Sequence, residues 1–151
     1  MPKVHPGRSD FLFLYENDLK STFWDYYKNR KGILRYQFEC PCRQGGIDLV
    51  TVEDYKGIYQ ICCFEFKLTD IKKAFLQAEY NLEFCHKSFI VVPIEKEKLI
   101  KDKYTFYLKQ KKHIGVIGVH ETGKWDIIYQ PIGAEQAILN NQILSLIIEG
   151  K

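Results

Sequence analysis

The chain has 151 residues, 46% hydrophobic and 27% charged, with a formal net charge of +3. That is enough for one domain with a sizeable core and too apolar for a disordered chain, and no apolar run approaches the length that spans a bilayer. The mild positive charge permits a polyanionic partner without demanding one.

The opening Met-Pro-Lys-Val-His-Pro-Gly lacks the apolar core of a secretory signal, so the chain reads as a soluble cytoplasmic protein. Residues 10–29 read as a helix, with Ser9 or Asp10 as its cap and Leu12, Leu19, Phe23 and Tyr26 as its buried stripe. Glu16 falls on that stripe, where an acid needs either a partner or solvent. Lys31-Gly32 breaks the helix, and 33–39 alternates as a first strand. Residues 40–46 form a turn-rich loop that carries Arg43 and Gln44, both expected to be exposed; Gly45-Gly46 allows positive φ there.

Residues 47–52 and 58–68 read as strands joined by a hairpin turn at 53–57. Thr69 or Asp70 caps a helix running to about His86, with a stripe of Ile71, Phe75, Ala78, Leu82 and Cys85. Gln77 lies on its flank with Lys73 and Asn81. Residues 88–93 are a short apolar strand of the central, buried kind. The basic stretch 95–112 is read as helical at least to Lys103, with 104–107 ambiguous between helix and strand. Ile114–Val119 and Trp125–Tyr129 are two further strands, and 134–148 a closing helix with Ala134, Ile138, Leu144 and Ile148 apolar. The order makes an α/β domain with a mixed sheet.

Side chains on a strand alternate between faces, so Glu65 and Lys67 are expected to point one way and Cys62, Phe64, Phe66 and Leu68 the other. A carboxylate and an ammonium on an apolar strand are costly to bury and ask for a reason. If the Asp48 strand pairs alongside, two carboxylates and a lysine converge, the minimum for a hard divalent cation beside an activated water. The lysines at 96, 98, 101, 103, 109, 111 and 112 form either a solvated helix face or a phosphate-contacting surface. The five cysteines are an odd number without disulfide spacing, and Cys40/Cys42 and Cys62/Cys63 miss the C-x₂₋₄-C spacing of structural zinc, so reduced thiols are expected. His5, His86, His113 and His120 have no second histidine at ligand spacing. No Walker-type glycine loop is present, so no nucleotide cofactor is expected.

Asp48, Glu65-Phe66-Lys67 and the helical Gln77 together resemble the PD-(D/E)XK nuclease superfamily, over about residues 10–93. Glu16 resembles the first-helix acid of the Holliday-junction resolvase-like branch. Ile47 stands where the family often has proline, and Asn81 where the RecB-like motif has tyrosine. The resemblance implies a restriction-endonuclease-like αβββαβ core with a mixed sheet flanked by helices, spanning the chain as one domain with 94–151 as an extension. It implies a Mg²⁺- or Mn²⁺-dependent endonuclease acting on DNA, in repair, recombination, restriction or on mobile-element DNA, with the chain itself phage- or mobile-element-encoded as one source. Asp48, Glu65 and the Phe66 carbonyl would hold the metal, Lys67 would handle the attacking water, and Gln77 and Glu16 would support them. Arg43, Gln44, Lys73, Lys109, Lys111 and Lys112 would contact nucleic acid, and a homodimer would engage two strands. The alternative is an inactive nucleic-acid-binding or protein-interaction module on the same fold.

Overall fold

A computed structural model describes residues 13–149. His5, Ser9, Asp10 and Leu12, assigned above to a tail, a helix cap and a helix stripe, lie outside the described residues. Four helices, α1 (Glu16–Tyr27), α2 (Ile71–Asn81), α3 (Glu97–Gln110) and α4 (Asn141–Glu149), pack on a sheet. Its strands are β1 (Ile33–Cys40), β2 (Ile47–Tyr55), β3 (Ile58–Phe66), β4 (Lys87–Pro93), β5 (Ile114–Val119) and β6 (Trp125–Tyr129).

The six strands lie in chain order across one sheet. β1, β2 and β3 form an antiparallel meander. β3–β4 and β4–β5 are parallel, with α2 and α3 as their crossovers, and β6 returns antiparallel. The fold is therefore a mixed α/β architecture. α1 covers one face, where Leu19, Phe23 and Tyr27 pack on Leu49, Phe64, Phe66, Phe89, Val91 and Ile117. The other face carries α2 and α3 over Ile90, Val92 and Val116, and α4 over Val50, Val52 and Cys63.

Several boundaries differ from the sequence expectation. α1 buries Tyr27 (2% exposed) rather than Tyr26 (53%), because 19, 23 and 27 stack at i, i+4 and i+8. The Tyr27 hydroxyl donates to Glu53 Oε2 at 2.8 Å. β2 runs on to Tyr55, so Glu53, expected in a turn, lies buried within the strand. The hairpin is a tight Lys56-Gly57 turn with φ of 53° and 85°, the twist that joins antiparallel strands directly. α2 stops at Asn81, not His86, and residues 104–107 are helical within α3.

The closing helix begins only at Asn141, with Asn140 Oδ1 accepting the Ile143 N–H at 2.9 Å. Upstream, main-chain groups pair with other loops: the Ala134 N–H donates to the His86 carbonyl and that of Ile138 to the Glu83 carbonyl. Ile143 and Leu146 are the buried residues of α4, whereas Ile138 and Ile148 are exposed. All five cysteines are free and buried. His86 does not sit on a helix end; its Nδ1 accepts the Ile61 N–H at 2.9 Å, and burial lowers its pKa. Among the described residues no helix is long and apolar enough to cross a membrane.

Candidate active site

The β2–β3 register pairs Leu49 with Phe64, and both turn into the α1 core. By alternation Asp48 and Glu65, one step outward on each strand, face the opposite side of the sheet together. The cross-strand pairing ends at Leu49–Phe64, and past it the Asp48 side chain takes over a ladder bond. Its Oδ2 accepts the Phe66 N–H at 3.0 Å, which ties the main chain of residue 66 to the carboxylate.

Glu65 is 1% exposed. Its Oε2 accepts Asn81 Nδ2 at 2.9 Å and pairs with Arg43 Nη2 at 3.1 Å. Burial, and then the neighbouring Asp48 charge, push its carboxyl up to about 7, against the pull of Asn81, Arg43 and the Asp48 amide. A buried carboxyl facing a second carboxylate is an arrangement that a positive charge relieves.

Lys67 was expected to share a face with Glu65. The strand ends at Phe66, so alternation does not carry to residue 67. Its N–H donates to the Val91 carbonyl at 3.1 Å, and its ammonium lies 3.9 Å from Glu16 Oε2 in the first turn of α1. Among the described residues its one ion pair is with Glu16, not with Asp48 or Glu65. Glu16 itself is half-exposed rather than buried on the α1 stripe.

Gln77 lies one turn before Asn81 on α2, and its Oε1 is buried without a hydrogen-bond partner among the described residues. Such an acceptor costs about 1–3 kcal/mol unless something donates to it. Glu95 Oε1 is likewise buried without a partner among the described residues. It belongs to the 3-10 turn Ile94–Lys96 that follows β4, at the same end of the sheet as Lys67.

Arg43 is not the exposed residue expected of its loop. Besides Glu65, its Nε donates to Asn81 Oδ1 at 2.6 Å and its Nη1 to the Gln44 carbonyl at 3.0 Å. Gln44 stays exposed, and Gly45 and Gly46 take the expected positive φ. Lys73 is exposed, on the rim of a groove of about 610 Å³ between α2 and α3. The other predicted lysines lie away from the carboxylates. Lys109 is near the end of α3, and Lys111 and Lys112 lead into the start of β5, whereas the carboxylates sit at the end of β3 that is parallel to the end of β5. Lys98, Lys101 and Lys111 pair with Asp102, Glu97 and Glu79.

One residue beyond those expected now belongs to the site, Asn81. Asn81 had a signal in the sequence: it follows Ala74 and Ala78 on the buried face of α2, where an amide needs a polar partner. At the far end of the sheet, Glu53 forms a separate closed network, accepting from Tyr27, Thr51 and Arg30.

Among the described residues no group of three or more His, Cys, Asp or Glu side chains is arranged to hold a metal. Two carboxylates and a main-chain carbonyl still suit Mg²⁺, which keeps several of its waters. No family model matches this chain, and no curated protein matches it. Among solved structures it is similar to a protein of unknown function from Silicibacter pomeroyi, at 16% identity and a TM-score of 0.55 over 99% of this chain and 86% of that one. That likeness extends to the fold alone.

Proposed function

We propose that this protein is a cytoplasmic, Mg²⁺- or Mn²⁺-dependent deoxyribonuclease of the PD-(D/E)XK kind, with a restriction-endonuclease-like core. The observation that carries the reading is the Asp48–Glu65 pair, brought to one face by adjacent strands, with the Glu65 carboxyl pushed up to about 7 by burial and by Asp48. The observed order α1-β1-β2-β3-α2-β4 supports the αβββαβ core.

Asp48, Glu65 and the Phe66 carbonyl hold the cation. When bound, that cation supplies charge neutralisation at the phosphoryl group and a water of lowered pKa. The Asp48 bond to the Phe66 N–H holds both donors in register. Lys67, anchored by Glu16, presents its ammonium to the attacking water and the developing anion. Gln77 Oε1 accepts a hydrogen bond from that ammonium or that water, which explains its present lack of a partner. Lys73 and Gln44 contact the DNA backbone, so recognition follows DNA structure rather than base sequence. Two copies act together, so that both strands are engaged.

The test is cleavage of supercoiled, branched and single-stranded DNA by wild type and Lys67→Ala, in Mg²⁺ and in EDTA. The expected result is metal-dependent cleavage that falls at least about a hundredfold in the variant. Equal behaviour of the two proteins ends the reading. The pairing of Arg43 with Glu65 favours a second reading, an inactive nucleic-acid-binding module in which an internal ion pair replaces the metal. Mn²⁺ calorimetry separates them, since that module binds none.

A further inference from the structure

The loop between β1 and β2 delivers a cation of its own to the acidic pair. Arg43 reaches in from a turn set by Gly45 and Gly46, with φ of 86° and 76°. Its Nε and Nη2 grip Asn81 Oδ1 at 2.6 Å and Glu65 Oε2 at 3.1 Å, while Asn81 donates to that same Glu65 oxygen at 2.9 Å. The planar fork and the amide thus close a three-membered ring of charge-assisted bonds around one carboxylate oxygen.

The ring engages Oε2 of Glu65 alone, so a divalent cation held between Asp48 and Glu65 would lie beside the Arg43 guanidinium and repel it. We infer that Arg43 is a resident counter-ion which yields Glu65 to the metal and passes its guanidinium to a DNA phosphate, so that metal and DNA bind with positive coupling. The inference rests on the nuclease reading above.

Three features fit the exchange. The Arg43 side chain is 15% exposed, so its outer edge already meets solvent. Its neighbour Gln44 is exposed and continues the surface that a phosphate would approach. Asn81 is fully buried on α2 and remains as a donor to Glu65 after Arg43 has left. A guanidinium that has lost a carboxylate finds an equivalent two-pronged acceptor in a phosphodiester. Coupling of this kind is reciprocal: whatever DNA adds to metal affinity, metal adds to DNA affinity.

The test uses Arg43→Gln, with Arg43→Lys as a second variant that keeps the charge and loses the fork. Mn²⁺ calorimetry on the DNA-free proteins, at pH 8 and pH 9 to keep Glu65 ionised, is expected to give at least about tenfold tighter binding in Arg43→Gln, the equivalent of one charged hydrogen bond. Fluorescence anisotropy with a labelled 20-base-pair duplex is expected to give equal affinities for wild type and Arg43→Gln in EDTA, where Arg43 is held by Glu65. In Ca²⁺, which takes the same oxygen ligands, the variant is expected to bind about tenfold more weakly than wild type. Arg43→Lys falls between the two in both assays.

If wild type binds Mn²⁺ and Arg43→Gln binds it no more tightly, or if the variant loses duplex affinity equally in EDTA and Ca²⁺, the exchange is wrong while the nuclease reading stands. If wild type, Arg43→Gln and Glu65→Gln all fail to bind Mn²⁺, the nuclease reading fails and the exchange with it.

Discussion

Glu65→Gln offers a quantitative test of the site. The Glu65 carboxyl is buried and pushed from its ordinary 4.5 up to about 7. Between those values the folded protein binds a proton that the unfolded chain releases. Stability therefore falls as pH rises through this window, and the full penalty is present above pH 7. The gap from 4.5 to about 7 corresponds to about 3 kcal/mol. The Arg43 and Asn81 contacts are already contained in that value, since both act to lower it.

Glutamine keeps the shape and still accepts from Asn81 and Arg43, but carries no charge to bury. Glu65→Gln is thus expected to match wild type near pH 4.5 and to exceed it at pH 8 by up to about 3 kcal/mol. For a chain of this size that is about 6–12 °C in Tm. Thermal unfolding of both proteins at pH 4.5, 6, 7 and 8 measures it, and other titrating groups cancel in the difference. Addition of Mn²⁺ at pH 8 is expected to raise Tm for wild type and not for the variant. A Glu65→Gln protein less stable than wild type at pH 8, or a difference independent of pH, would refute the argument; Glu65 would then be part of a net-stabilising ion pair with Arg43.

Gln77→Leu removes the unpartnered buried acceptor, so the fold is expected to gain about 1–2 kcal/mol in urea unfolding while cleavage falls at least about tenfold. Glu16→Gln frees Lys67 from a half-exposed partner 3.9 Å away; stability changes by less than about 0.5 kcal/mol, whereas cleavage drops about tenfold through lost positioning. Tyr27→Phe takes one donor from buried Glu53 and costs about 1–3 kcal/mol. That network pairs at Gln60 rather than near Glu65, about 16 Å along the strand, so Mn²⁺ affinity is expected to be unchanged.

The residues that alternate or recur at helical spacing were legible from the chain alone. Ile114–Val119 and Trp125–Tyr129 are strands as read, because a short apolar run with a turn beside it leaves few alternatives. The shared face of Asp48 and Glu65 was legible for a similar reason, given pairing of two strands joined by a tight turn. The helix α4 was overextended because its upstream residues are apolar; only the fold shows their main-chain groups bonded to His86 and Glu83 instead. The lysines of 96–112 looked like one patch because they are close in sequence, but a 14-residue helix of about 21 Å carries them to opposite ends of the sheet.

Sequence by itself determined the mixed α/β layout, the pairing of an acid on one strand with an acid on the next, and the polar residue at 77, since these depend on local periodicity and short connections. Only the tertiary structure decided where Lys67, Arg43 and Asn81 spend their charge and hydrogen bonds. Those choices join loop 41–46, α2 and α1 to the end of the sheet. Residues far apart along the chain meet there because burial brings them together, and no local pattern encodes which long side chain reaches which carboxylate.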